Sequence, residues 1–227
     1  MAELKNRNAH EEAFALGLGR VANRHRHQLE DGLTADFAAP PGYWEQVQRE
    51  TEEELTALLL LLFITAADQH GLDDATVPVL AQGYAGAQAR EVAAGYVTTS
   101  RERLGRWAAE WRERGRPTGP GQAAGERPTA ADVRDMGLSI FGPDRIEGIT
   151  VGEVTAAVSA GGEAAARAAG QASDDDLWRT EQDDKVCPIC APLEGAKRSR
   201  WSLKFPAGPP AHTRCRCWLD YARDRRK

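Results

Sequence analysis

The chain has 227 residues, of which 41% are hydrophobic, so it is long enough and apolar enough to bury a core and is not a disordered tail. Its net charge of −5 argues against a generic nucleic-acid-binding protein. The most apolar run, residues 55–67, is shorter than the ~20 residues that a bilayer requires, which predicts a buried helix and no membrane span.

Apolar residues recur every three to four positions through the first half of the chain, which predicts three helices. We expect the second helix to stop near Gly71, because glycine readily adopts the left-handed backbone that ends helices. We interpret His25 as a packing residue of the first helix rather than as a metal ligand or catalytic group. The predicted stripes are Phe14, Leu18, Val21, His25 and Leu29, then Trp44, Val47, Leu55, Leu58, Leu62 and Ala66, and then Val92, Tyr96, Leu104, Trp107 and Trp111.

A stretch rich in glycine and proline, residues 114–129, has almost nothing apolar to bury and predicts a linker. We therefore expect a helical N-terminal region over residues 1–113 and a small C-terminal domain over residues 130–227. The predicted fold class is α+β, mostly α.

The C-terminal third combines helical and extended patterns. Residues 144–170 are alanine-rich and predict two helical pieces divided near Gly161 and Gly162. The letters "LWRT" from residue 177 predict a short strand that runs towards the first cysteines. A second extended segment is expected at "RCRCWL", where Cys215 and Cys217 alternate with an arginine and so point to one face.

Five metal-binding side chains lie in two groups of the C-terminal sequence. Cys187 and Cys190 have Cys-x-x-Cys spacing, and His212, Cys215 and Cys217 follow after 21 residues. Two soft thiolates at one turn and three donors at a second match the two halves of a structural zinc site. We favour Cys187, Cys190, His212 and Cys215 as ligands, with Cys217 as a substitute or a buried thiol.

Other chemistries of these cysteines stay open. A redox couple requires its Cys-x-x-Cys at the start of a helix, and Pro192 and Gly195 follow here instead, which argues against it. Two disulfides, or four unligated thiols, remain alternatives to zinc. The first residues lack the basic-then-apolar pattern of a secretory signal, which favours a reducing compartment and lowers the expectation of disulfides.

The charge is distributed unevenly. Residues 197–227 contain ten basic and two acidic side chains, a net charge of +8, which leaves −13 on the preceding 196 residues. The basic end could contact DNA phosphates, or it could be a solvated surface that balances the acidic remainder. The candidate contacts to nucleic acid are Arg198, Arg200, Arg223, Arg225 and Arg226.

Three segments, in this order along the chain, resemble the C-terminal domain of the phage Mu F-like head morphogenesis family. They are "RIEGITVGE" from residue 145, "LWRTEQDDKVCPICAPLEG" from residue 177 and "GPPAHTRCRC" from residue 208. The resemblance covers about the C-terminal third of the chain. The residues that carry it are Trp178, Thr180, Asp183, Asp184, Val186, Cys187, Pro188, Cys190, Leu193, Gly195, Pro209, Pro210, His212, Cys215, Arg216 and Cys217.

The resemblance implies a minor capsid protein that is carried inside the head of a tailed phage and is present in the host cytoplasm during assembly. It implies association with the portal protein, with capsid or scaffolding proteins and with packaged double-stranded DNA, and a role in head morphogenesis and in DNA packaging or ejection. We expect no enzymatic activity. The alternative is a metal-dependent hydrolase or nuclease that uses Glu153, Asp183, Asp184 and His212 around an open zinc position.

Overall fold

The computed structural model describes residues 4–71, 76–115, 127–170, 172–181 and 187–222. Within these ranges the chain is mostly helical and contains one small antiparallel sheet, which confirms the predicted α+β, mostly α class. The elements are helices α1 (Arg7–Gly32), α2 (Tyr43–Gln69), α3 (Val77–Arg114), α4 (Ala130–Phe141) and α5 (Pro143–Ala168), strand β1 (Leu177–Arg179), the short helix α6 (Arg198–Trp201) and strand β2 (Trp218–Asp220).

The three N-terminal helices are confirmed. All five stripe residues of α1 are buried, and His25 among them is fully buried, as expected of a packing residue. Helix α2 ends at Gln69, two residues before Gly71, which has a left-handed φ of 77°. The described part of the chain contains no helix that is long and apolar enough to cross a membrane.

One hydrophobic core joins helices from both sides of the predicted linker. Helix α2 packs against α1, α3 and α5, and α1 also contacts α4 and α5. Met136 and Val154 therefore lie in the same cluster as Leu18 and Leu55. Residues 116–126 of the predicted linker lie outside the described residues, and the two-domain division stays a prediction. In the described ranges, the helices before and after residues 116–126 share one core, because α4 and α5 pack against α1–α3.

The predicted break within residues 144–170 is wrong, because α5 is one continuous helix from Pro143 to Ala168. Its two central glycines permit close packing instead. A Cβ atom at Gly161 would lie 2.4 Å from the backbone oxygen of Phe63 in α2, and one at Gly162 would lie 3.1 Å from the ring of His70. The lower helix propensity of glycine is thus offset by the contact that it allows between α5 and α2.

Replacing Gly161 with Ala is expected to lower the free energy of unfolding by about 1–3 kcal/mol, because a rigid backbone oxygen occupies the space of the added methyl group. The matched control is Gly152→Ala in the same helix, where no atom lies within 4 Å of the added Cβ. There the better helix propensity of alanine should stabilise the chain by up to about 1 kcal/mol. Urea unfolding measures both values, and equal effects of the two changes would contradict this account of α5.

A second cluster forms the C-terminal unit, which we define as the described residues from 172 to 222. Its centre is aromatic, since the fully buried Trp178 packs against Trp201 and Phe205. Strand β1 pairs with β2 on one side and with the backbone of Gly195 and Ala196 on the other. The predicted strand at "LWRT" is confirmed, and the second extended segment is also present, although its strand starts only after the last cysteine.

Candidate metal centre

The first half of the cysteine cluster is a tight turn beside β1. The backbone N–H groups of Cys190 and Ala191 both donate to the carbonyl of Cys187, at 3.1 and 2.9 Å, so the chain folds back on itself immediately. The N–H of Cys190 also points at the Cys187 sulfur, at 3.4 Å. Gly195, with a φ of 69°, then turns the chain so that its N–H donates to Trp178 in β1. These turns aim both thiols at one place.

The second half of the cluster is held by a turn and by α5. The N–H of Cys215 donates to the carbonyl of His212 at 3.2 Å, and Arg214 between them has a left-handed φ of 62°. The hydroxyl of Thr155 in α5 donates to the carbonyl of Cys215 at 2.5 Å. Local turn chemistry and one contact from the helical core together position this segment.

The structure brings all five predicted donors together. The Nε2 atom of His212 lies 2.8 Å from the Cys187 sulfur and 3.1 Å from the Cys190 sulfur, and the sulfurs of Cys190 and Cys215 are 3.8 Å apart. The ligand atoms form two overlapping groups of three, Cys187–Cys190–His212 and Cys190–Cys215–Cys217, each within 4.8 Å. All four cysteines are free thiols, so the predicted alternative of two disulfides is not found in this structure, whereas the alternative of four unligated thiols stays open.

The tautomer of His212 is set by its neighbour along the chain. Its Nδ1 atom lies 2.6 Å from the carbonyl oxygen of Thr213, which can only accept a hydrogen bond. Nδ1 therefore carries the proton, and the lone pair of Nε2 faces the two sulfurs. A carbonyl that orients a histidine in this way is the usual second partner of a metal-ligating imidazole.

Hydrogen bonds and burial divide the thiols into different ionisation states. Cys215 accepts a hydrogen bond from the Cys217 thiol and others from the backbone N–H groups of Cys217 and Ala211, which together lower its pKa to about 5 against the effect of burial. The same thiol pair raises the pKa of Cys217 well above its ordinary range. Burial raises the pKa of Cys190 to about 12. The lowered pKa of Cys215 and the raised pKa of Cys217 favour Cys215 over Cys217 as a ligand.

The donor set fits a metal ion of the soft, four-coordinate kind. A tetrahedral ion with ~2.3 Å bonds to sulfur separates its sulfur ligands by about 3.8 Å, which is the spacing between Cys190 and Cys215. The imidazole of His212 lies closer to the sulfurs than the ~3.6 Å that such an ion requires, so the two N–S distances must lengthen by about 0.5–0.8 Å. This buried Cys/His group could hold a metal ion.

The structure describes two of the five arginines that were predicted to contact nucleic acid. The prediction that Arg198 is a surface arginine that can be removed without disturbing the fold is wrong. Its side chain is 15% exposed and forms ion pairs with Glu163 and Asp176, at 2.6 and 3.0 Å. Arg200 is exposed. The remaining three candidates, Arg223, Arg225 and Arg226, lie outside the described residues.

The carboxylates of the hydrolase alternative do not gather around the thiols in the described part of the chain. Glu153 projects from α5 towards α3, where it accepts a hydrogen bond from Gln88 at 3.0 Å, and burial raises its pKa. Thr155, which touches the cysteine segment, lies on the other side of the same helix. Asp183 and Asp184 lie outside the described residues.

Sequence reasoning missed two groups of polar residues that support the cluster. Arg7 at the start of α1 and Thr155 of α5 contact the carbonyls of the second half, and Asp176 and Glu163 hold Arg198. None of them stands in a motif, because the cysteine segment and Arg198, which they contact, lie tens of residues or more away along the chain. A buried salt bridge of this kind gives no local sequence signal.

Comparison with known proteins found no family model that matches the chain, no similar curated protein and no similar solved structure.

Proposed function

We propose that this chain is a non-enzymatic minor head protein of a tailed phage, whose C-terminal unit is closed by a structural zinc ion. The observation that carries the proposal is that Cys187, His212 and Cys215 all gather around the buried Cys190. These are the donors of the segments that resemble the Mu F-like family, and a motif of such spacing is expected to converge only if it serves a common site.

Zinc is the ion that suits this set of donors. Thiolate and imidazole ligands select zinc or iron–sulfur chemistry over calcium and magnesium, which prefer oxygen. Three cysteines with one histidine are among the usual ligand sets of closed, four-coordinate structural zinc sites, and such sites supply folding free energy directly. In the C-terminal unit the ion would join the turn at Cys187 to the segment at Cys215.

A structural role is supported over a catalytic one by the supply of ligands. A catalytic zinc keeps one position open for water and has a carboxylate or histidine nearby to accept a proton. Here five donors compete for four positions, and Glu153 faces α3 rather than the thiols. The proposal therefore assigns the cluster to folding and not to hydrolysis.

We further propose that the chain lies inside the phage head, in contact with the portal protein, with capsid or scaffolding proteins and with packaged DNA. The uneven charge supports the DNA contact, but part of the basic end is engaged within the chain. Lys197 pairs with Asp175, and Arg198 is held by two acids. The proposed phosphate contacts are therefore Arg200 and the three arginines after residue 222.

The head assignment predicts that the gene next to the one for this chain encodes a portal protein. When the two proteins are produced together, the chain is expected to elute with the portal ring in size-exclusion chromatography, because a minor head protein must be retained during assembly. The control is the same chain mixed with an unrelated ring-forming protein of similar size. Separate elution from the portal ring at low salt would contradict the proposed partner.

A further inference from the structure

The first turn of α1 is docked against the cysteine cluster by a buried arginine. Arg7 is 4% exposed, and its guanidinium donates hydrogen bonds to three groups. They are the carboxylate of Glu11 at 2.7 Å, the carbonyl of Arg216 at 3.3 Å and the hydroxyl of Thr155 at 2.5 Å. A buried charge is tolerated only when it is paired and hydrogen-bonded, so these contacts together keep Arg7 in place.

Two of these contacts lead to the residues that carry the second half of the cluster. The hydroxyl of Thr155 accepts a hydrogen bond from Arg7 and donates one to the carbonyl of Cys215. Arg7 holds the next carbonyl, that of Arg216, directly. The carbonyls of Cys215 and Arg216, two consecutive residues, are therefore held by one threonine of α5 and one arginine of α1.

A second arginine, on the cysteine segment, contacts the first turns of α1 in return. Arg216, which stands between Cys215 and Cys217, donates to the side-chain oxygen of Asn8 at 3.2 Å and lies 3.7 Å from a carboxylate oxygen of Glu11. Glu11 therefore faces one arginine from its own helix and one from the cysteine segment. Residues more than 200 positions apart are held together at the cluster.

We propose that Arg7 and Thr155 are positioning residues of the metal centre, and that binding of the ion and docking of the first turn of α1 stabilise each other. This inference rests on the proposed zinc site. The physical reason is that the Cys215–Cys217 segment has two sets of partners, the metal ion and the polar groups of α1 and α5. Each set orders the segment for the other, and the coupling acts equally in both directions.

Polar groups that orient metal ligands typically change metal affinity by tenfold to a hundredfold when they are removed. Replacing Thr155 with Val keeps the shape of the side chain and removes both of its hydrogen bonds, so we expect a loss of affinity in that range. Thr155→Ser keeps the hydroxyl and should retain the affinity of the unaltered chain. Arg7→Lys keeps the charge but cannot reach three acceptors at once, and should lose affinity like Thr155→Val.

The experiment titrates Co²⁺, whose visible absorption reports tetrahedral thiolate coordination, into the reduced full chain and then displaces it with Zn²⁺. The same samples are compared by hydrogen exchange at the backbone amides of residues 10–14, with and without the ion. Loss of the ion should speed this exchange in the unaltered chain and have no such effect in Arg7→Lys. The control is Arg24→Met, which removes an exposed arginine of the same helix that pairs with Glu50 away from the cluster.

The outcomes separate this inference from the zinc proposal. If the unaltered chain gives no cobalt spectrum and takes up no zinc, the zinc site itself is wrong. A second outcome is that Thr155→Val binds the ion as tightly as the unaltered chain does, and that the ion does not change the hydrogen-exchange rates of residues 10–14. In that case the first turn of α1 is not coupled to the metal centre. The hydrogen-exchange comparison on the unaltered chain decides the coupling even if a variant fails to fold.

Discussion

Replacing Cys190 with Ser should abolish zinc binding by the purified, reduced chain and unfold the C-terminal unit. Before the change, we expect the chain to contain close to one zinc ion per molecule. Cys190 is the one residue shared by both groups of donors, so its loss disables either choice of ligands. Structural zinc sites contribute an apparent ~10–16 kcal/mol of binding free energy at neutral pH, most of which is lost with the ion. The helical core of α1–α5 should remain, because its cluster does not include the thiols.

Metal analysis and two optical signals measure this result. Helical circular dichroism should persist to temperatures near those of the unaltered chain, whereas the near-ultraviolet signal of the packed Trp178 and Trp201 should be lost. The matched control is Ile189→Ser, which changes a half-exposed residue of the same turn and should leave zinc bound. Unchanged melting of the Cys190 variant, in a chain that contains no metal to begin with, would mean that the thiols are unligated packing residues.

The same measurement on Cys187→Ser and Cys217→Ser decides between the two groups of donors. We expect Cys187→Ser to lose zinc and Cys217→Ser to keep it, because the Cys187 sulfur lies 2.8 Å from Nε2 of His212, whereas the neighbouring Cys215 raises the pKa of the Cys217 thiol. The opposite order would place the ion between Cys190, Cys215 and Cys217.

The second large effect is expected from Asp176→Asn. Asp176 is fully buried and accepts hydrogen bonds from Arg198 and from the backbone N–H groups of Ser173 and Ala222. The amide removes the charge that balances Arg198, and it turns an N–H group towards the guanidinium. Removing one partner of a buried ion pair costs about 3–5 kcal/mol, so the C-terminal unit should unfold at much lower urea concentration.

The adjacent residue provides the control for this change. Asp175 is 63% exposed and pairs with Lys197, which is 61% exposed, at 2.8 Å. Because exposed ion pairs contribute at most about 1 kcal/mol, Asp175→Asn should leave the urea midpoint nearly unchanged. If the two substitutions have equal effects, Asp176 does not hold Arg198 in the way described here.

The other acid beside Arg198 adds a dependence on pH. Burial alone would raise the pKa of Glu163, but hydrogen bonds from Arg198 and Arg167 bring it below its ordinary value of 4.5. A carboxylate with a lowered pKa stabilises the folded chain above its ordinary pKa, and this contribution is lost as the pH falls below 4.5 towards the pKa of the folded state. The unaltered chain should therefore lose stability in that range more steeply than Glu163→Gln.

The helices of the N-terminal half and the two strands were predictable from local patterns. Hydrophobic periodicity placed α1, α2 and α3, since a helix buries one face whatever its partner is. Gly71 marked the end of α2 because its backbone conformation is a local property. The five candidate metal donors were also identified, because the chemistry of thiols and imidazole and their spacing along the chain are written in the sequence.

The packing between distant segments was decided only by the tertiary structure. Gly161 and Gly162 looked like a helix break, but the backbone of α2 lies against them and α5 continues. Arg198 looked like a surface charge for DNA, but two acids from other segments surround it. Local propensity describes what a residue prefers when nothing contacts it, whereas glycine contacts, buried ion pairs and the contact of Arg7 with the cysteine segment depend on which surfaces the whole chain brings together.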